Sequence, residues 1–295
     1  MKTIATLIDD IHEVIEGGNG WTEEFAKFFS ETIGKQSLVA FSEPNAPRDW
    51  VGLSAVGKPC DLEKWYIVNE SHKADKMPPE LLGTFFYGHM LEAFVLSLAM
   101  AAGHRVEGLQ EPLNVFGVPG SGDAIIDGHV VDVKSSGTRA MEKFTYHQLK
   151  GYHNKKDEWV PARDVDGFGY ISQLSSYLYG YKDDPRVHDK ENASFFVVGK
   201  ERFKLQLDTY NLKDELENKQ KEIEHTKAVT TGPRPPRGFS DVEDGKSGNR
   251  KLGFQCSYCD FRKDCWPDTR TFWYSNGPRH LTNVTRPPQE HIKET

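Results

Sequence analysis

Apolar and polar positions alternate at helical spacing over 3–16 and again over 21–33, and Gly17-Gly18-Asn19-Gly20 separates the two stretches. Thr22-Glu23-Glu24 has the character of a helix start. The segment 43–57 is punctuated by Pro and Gly and reads as loop. Pro78-Pro79-Glu80 opens a long apolar helix that reaches about Ala102 and is closed by Gly103. Runs 105–107 and 112–116 read as strands. They lead into 120–136, where Ala124-Ile125-Ile126 and Val130-Val131 are joined by the hairpin dipeptide Asp127-Gly128. A helix is expected over 168–181, strands over 194–198 and 203–207 forming a hairpin, and a charged helix over 212–227. The stretch 230–249, rich in Pro, Gly and charge, reads as linker. The order predicts an α/β fold, a mixed central sheet flanked by helices.

Composition changes this picture little. The chain has 295 residues, enough for a substantial core, and a net charge of −7. No global basic footprint exists, so a nucleic-acid partner would need a local basic cleft or metal ions. The apolar opening around Ile4 and Leu7 is cut short by Asp9-Asp10, so no signal-peptide core is expected. The apolar run 85–102 carries His89 and Glu92, which suits a buried helix better than a membrane span. We therefore expect a cytoplasmic protein with no membrane partner, whose four cysteines are reduced thiols available for metal.

The candidate chemistry centres on the 120–136 hairpin. Asp123 opens its first strand, and Asp132 and Lys134, two apart on the second, share a face. Two carboxylates close together repel unless a cation joins them, and hard ions such as Mg2+ or Mn2+ prefer oxygen. A surface hairpin with a solvated Asp/Lys pair is the plain alternative. On the long helix, His89 and Glu92 lie three apart on one face; they either bond each other or hold a metal. Between 137 and 166, Arg139, Lys143, His147, Lys150, Lys155 and Lys156 are interleaved with Phe144, Tyr146, Tyr152, His153 and Trp159. That mixture suits a single-stranded nucleic-acid surface, with Lys143 and Lys150 as candidate phosphate contacts, or else a loop packed by its own aromatics. Gln173 and Tyr177, four apart, share a helical face.

The order of these elements resembles the PD-(D/E)XK nuclease superfamily in its RecB-like exonuclease branch. There a helix supplies a Glu, a strand an Asp, and the next strand Asp/Glu-x-Lys. The matching positions are Glu92, Asp123, Asp132 and Lys134, with His89 matching an extra metal ligand of that branch and Gln173/Tyr177 its Gln-x-x-x-Tyr motif. The resemblance implies a restriction-endonuclease-like core and Mg2+- or Mn2+-dependent hydrolysis of DNA. Asp123, Asp132 and the Val133 carbonyl would bind the catalytic cation, and Glu92 and His89 a second cation or its water. Lys134 would position or activate water, and Gln173 and Tyr177 would orient DNA. It implies exonuclease action on single-stranded ends, commonly 5′ to 3′, in recombination, repair or DNA processing in a bacterial or phage-infected cell. A DNA-end-binding factor with little activity of its own is the alternative.

Cys256, Cys259 and Cys265 form C-x2-C-x5-C, and the fourth cysteine, Cys60, lies far upstream. Three close thiols and one distant one make a four-thiolate site that differs from the two close pairs common in structural zinc sites. The split resembles the iron–sulfur nucleases, namely the fourth CRISPR-associated family and the AddAB-type nuclease domain. It implies a [4Fe-4S] cluster on Cys60, Cys256, Cys259 and Cys265, with Zn2+ as the alternative. It also implies a homo-oligomer or a recombination- or CRISPR-type protein partner. The expected organisation is an accessory helical segment over 1–50, a nuclease core over 51–228, a linker over 229–250, and the cysteine region with its tail over 251–295.

Overall fold

The computed structural model describes residues 2–18, 20–42, 48–274, 277–288 and the backbone of 293–294. In chain order, a 3-10 turn (Ile4–Thr6) precedes α1 (Leu7–Gly17), followed by α2 (Glu23–Ser42), α3 (Leu53–Val56), α4 (Asp61–Asn69), a 3-10 turn (Ser71–Lys73) and α5 (Pro79–Ala101). Then come β1 (Val106–Glu107), β2 (Glu111–Val115), β3 (Val118–Gly122), β4 (Ala124–Ile126), β5 (His129–Ser136), α6 (Thr138–Thr145), β6 (Gly151–His153), β7 (Trp159–Pro161), α7 (Ala162–Val165) and α8 (Tyr170–Gly180). After these are β8 (Asn192–Gly199), β9 (Leu205–Asn211), α9 (Lys213–Thr231), β10 (Val242–Glu243), β11 (Arg250–Lys251), α10 (Phe254–Ser257), α11 (Arg262–Cys265), β12 (Arg270–Tyr274), β13 (Gly277–Asn283) and β14 (Lys293–Glu294).

The contacts divide the chain into two units. The first holds Met1–Ala46, Gly52–Gly57 and Pro78–Ile223; the second holds Pro47–Val51, Lys58–Met77 and Glu224–Thr295. Residues 58–77 thus group with the C-terminal quarter, which the contiguous division at 51, 229 and 251 does not capture.

The first unit is built on a mixed sheet in the order β1-β4-β5-β8-β9, in which β5 and β8 run parallel and the other neighbours antiparallel. Helices flank it. Leu91, Val95 and Leu98 of α5 and Leu7 and Ile11 of α1 form one core with Val131, Val133 and Phe196. Strand alternation sends Asp132 and Lys134 the other way, where Tyr170 and Gln173 of α8 meet Lys134. Helix α1 therefore contributes to this unit's core, and both N-terminal helices group with this unit. Of the described helices α5 is long and apolar enough to cross a membrane, but its second half lies in this core.

Three local outcomes differ from the sequence pattern. α2 runs nine residues past the expected end at 33, straight through Gly34. A glycine in a helix costs about 1 kcal/mol, and the packing of α2 on α5, with Phe29 against Phe94 and Phe41 against Phe86, offsets it. The segment 137–166 is not open loop. Met141 and Phe144 bury one face of α6, the latter 5.5 Å from the Phe195 ring, and β6 pairs with β7. The stretch 229–250 is only partly linker: α9 continues to Thr231 and β10 pairs with β11, where Arg250 binds Asp241. The Asp127-Gly128 hairpin forms as expected, with φ of 50° and 83°. Here only glycine suits the second position, since a Cβ would stand 2.4 Å from His188 Nδ1.

The second unit carries an antiparallel sheet in the order β10-β11-β13-β12-β14 and a small core of Leu62, Tyr66 and Phe261. Trp65 and Asn69 of α4 donate to the carbonyls of Gly232 and Thr230 at 3.1 and 2.9 Å, tying 58–77 to the end of α9.

Candidate functional site

In the first unit, the end of the β4–β5 pair and helices α5 and α8 bring together Glu92, Asp123, Asp132, Lys134, Gln173 and Tyr177. Asp123 Oδ2 accepts the Val133 N–H at 2.8 Å. That amide is what the structure shows at Val133. Asp132 is fully buried, and neither of its oxygens receives a well-aligned hydrogen bond. Its close partner is the Lys134 ammonium at 2.7 Å. Burial, with Asp123 nearby, pushes the Asp132 carboxyl up to about 8 even though Lys134 opposes the shift. Burial, then Glu92, also raises Asp123. Burial alone would lower the Lys134 pKa, but Asp132 and Asp123 beside it more than offset that and hold the ammonium charged.

Lys134 is also fixed from the α8 side. Gln173 Oε1 accepts from it at 3.2 Å, Tyr170 lies under the ammonium at 5.0 Å, and Gln173 Nε2 donates to Tyr177 Oη at 2.6 Å. Gln173 and Tyr177 are 9% and 5% exposed. Their polar atoms therefore form a buried relay behind Lys134. Tyr170 escaped the sequence reading, although its spacing of three from Gln173 and seven from Tyr177 puts all three on one helical face.

Glu92 reaches the site from α5. Its Oε2 lies 3.6 Å from His89 Nδ1, and that contact raises the His89 pKa. Its Oε1 accepts from Gln110 Nε2 at 2.7 Å, and the same nitrogen lies 3.2 Å from Asp123 Oδ1. Gln110 is a member of the site that no sequence motif marked. Its only signal is its place in the turn before the paired strands.

Lys143 and Lys150 are not brought to this cluster. Lys143 donates to the Val165 carbonyl at 2.8 Å, and Lys150 binds Glu215 at 2.7 Å and the Asn211 carbonyl. Tyr146 and Trp159 of the same segment are exposed, while His147 stacks on Tyr210 and bonds Asp208 at 2.7 Å.

In the second unit all four cysteines are free thiols and line one cavity with Tyr66 and Phe261. Cys60 precedes α4, Cys256 lies in α10, Cys259 follows it, and Cys265 ends α11. Burial raises all four thiols, Cys256 to about 11. Donors aimed at the sulfurs oppose this: the amides of Glu63 and Gly238 at Cys60, that of Phe261 at Cys259, and Arg237 at Cys265. Glycine at 238 permits this approach, since a Cβ there would lie 3.0 Å from Cys60 Sγ.

Among the described residues, no three His, Cys, Asp or Glu side chains converge as closely as one ion requires. In the carboxylate cluster the Lys134 ammonium and the Gln110 amide stand among the oxygens.

No protein-family model matches the chain. No curated protein matches it either. A solved structure described as "Crystal structure of SSO0001" aligns at 13% identity over 79% of this chain and 93% of that one, with a TM-score of 0.36, a likeness too low to argue from.

Proposed function

We propose that this chain is a cation-dependent deoxyribonuclease with a restriction-endonuclease-like core, of the RecB-like PD-(D/E)XK type. In this reading it degrades single-stranded DNA from its ends, 5′ to 3′. The observation that carries the reading is Asp132: a fully buried acid 2.7 Å from the Lys134 ammonium and beside Asp123, which Glu92 faces in turn. Acids buried this close together are costly to ionise, and a divalent cation joining them removes that cost. The donor set of Asp123, Asp132 and Glu92, with His89 beside Glu92, suits Mg2+ or Mn2+, and the Val133 carbonyl would be a further oxygen ligand.

When bound, the cation supplies Lewis-acid polarisation of the phosphate and neutralises its developing charge. The chain's own residues do the rest. Lys134, an ammonium beside Asp132 and Asp123, donates to and holds the attacking water or the non-bridging phosphate oxygen. Gln173 and Tyr170 fix its direction, and Tyr177 fixes Gln173. Gln173 and Tyr177 thus act on DNA through Lys134 and are positioning residues. Exposed Tyr146 and Trp159 offer stacking faces for unpaired bases.

In this reading the four thiols that line the cavity, Cys60, Cys256, Cys259 and Cys265, would hold a [4Fe-4S] cluster. Their sulfurs receive amide and guanidinium donors, which favour thiolate and tune such clusters. Zn2+ on the same four thiols is the alternative. There the cluster would tie 58–77 to 254–266.

The test is anaerobic purification, followed by iron, sulfide and zinc analysis and incubation with end-labelled single-stranded DNA and Mg2+ or Mn2+. A brown, iron- and sulfide-containing protein that shortens the DNA from its 5′ end is expected. A colourless zinc protein that still cuts removes the cluster, and a protein that binds ends without cutting removes the nuclease.

A further inference from the structure

We propose that the Gln110 amide is a neutral stand-in for a cation shared by Glu92 and Asp123, and that a cation reaches these two carboxylates only by displacing it. The inference rests on the cation-dependent reading above and deepens it by naming what controls occupancy.

Gln110 lies in the turn between β1 and β2 with a φ of 51°, a left-handed conformation unusual outside glycine. Two contacts hold it there: its backbone N–H to the Asp123 carbonyl at 3.3 Å, and its Oε1, which accepts from Ser121 Oγ at 3.3 Å. The amide nitrogen carries two hydrogens. One goes to Glu92 Oε1 at 2.7 Å, and the other to Asp123 Oδ1 at 3.2 Å. Nitrogen facing the pair is the orientation that gives both anionic oxygens a donor; the reverse would set the amide oxygen against two carboxylates.

The other oxygens of this pair are already engaged. Asp123 Oδ2 takes the Val133 N–H, part of strand β5, and Glu92 Oε2 faces His89. The two oxygens that face each other across the pair, where a shared cation would sit, are the two that Gln110 contacts. An amide satisfies their lone pairs but brings no charge to the pair, whereas a divalent cation does both. Gln110 is exposed and sits in a turn, so it can withdraw without opening the sheet. The strand amide at Val133 cannot.

The consequence is a competition. Without cation, Gln110 keeps two like charges tolerable; with cation, it must leave. The test is calorimetric titration of Mn2+, without DNA, into the metal-stripped full chain, together with urea unfolding in EDTA. For Gln110→Ala the Mn2+ dissociation constant is expected to fall about tenfold, the scale of one hydrogen bond to a charged group. Its urea midpoint in EDTA is expected to fall as well. Gln110→Asn, too short to reach both oxygens, should move the same way and carries the test if the alanine variant folds poorly. Gln110→Lys, which supplies a fixed ammonium, should raise the midpoint in EDTA and weaken Mn2+ binding. Wild-type affinity in Gln110→Ala and Gln110→Asn would overturn the stand-in while leaving the cation site in place. Weaker binding in both would make Gln110 a ligand or scaffold and overturn it too. No Mn2+ binding by wild type or any variant would overturn it together with the cation-dependent reading.

Discussion

His280 offers a quantitative check on the second unit. Its ring is buried at 5% exposure, with Nε2 3.0 Å from Arg262 Nη1 and Nδ1 2.9 Å from Thr271 Oγ1. Burial first, then the Arg262 guanidinium, lowers its pKa from 6.5 to about 4, with Asp75 opposing. The folded chain therefore refuses a proton that the unfolded chain accepts. Stability from this group is complete above pH 6.5 and is lost as pH falls toward 4. Between pH 7 and pH 5 the linkage integral is about 2 kcal/mol, a large share of a domain's margin. The effect should also reach the thiol cavity. Arg262 lies between Cys259 and Cys265 and holds the Ser257 carbonyl and Asp75 at 3.0 and 3.1 Å, so charging His280 beside it strains that anchor. The perturbation is His280→Gln, which keeps an acceptor for Arg262 but cannot charge. The assay is urea unfolding followed by tryptophan fluorescence at pH 7, 6 and 5 in both proteins; titrations elsewhere cancel in the difference. The variant should lose about 2 kcal/mol less than wild type over that range. Parallel profiles would refute the argument.

Other perturbations bear on the site and the fold. Gln173→Leu leaves the Lys134 ammonium and the Tyr177 hydroxyl without their partner, which costs about 1–3 kcal/mol; it should lower kcat five- to a hundredfold, on the order of that energy, with little change in KM. A raised KM with unchanged kcat would instead make Gln173 a direct DNA contact. Cys259→Ala should lower iron content and destabilise the region that joins 58–77 to 254–266, because a multi-ligand group links segments distant in sequence; wild-type melting with the same iron content would remove that tie. Gly128→Ala forces a Cβ against His188 at a φ of 83°; an unfolding free energy lower by about 1–3 kcal/mol is expected, and no change would contradict the type of turn assigned there.

Much of the first unit was legible because local and tertiary preferences agree. Asp127-Gly128 needs two left-handed residues and takes them, and Pro79 and Gly103 bracket α5 as helix chemistry demands. Other elements were hidden for identifiable reasons. β3 reads Val-Pro-Gly-Ser-Gly, poor in strand formers, and forms because Phe116 and Gly117 turn the chain back onto β2. α6 has only Met141 and Phe144 to bury, too few to set a period. The candidate site was legible where spacing carries chemistry, as at Asp132 and Lys134. Gln110 was not, since its role comes from where a turn carries a neutral side chain. Gln173 and Tyr177 were found by spacing, but their burial behind Lys134 is a matter of packing. Lys143 and Lys150 looked like free cations in a basic segment until the fold supplied the Val165 carbonyl and Glu215.

The most direct test of the central claim compares wild type, Asp132→Asn and Lys134→Ala on 5′-labelled single-stranded DNA with Mn2+, each protein first shown to be folded by circular dichroism. The account predicts progressive shortening by wild type and none by either folded variant. Cleavage retained in both variants, or absent from wild type, would contradict it.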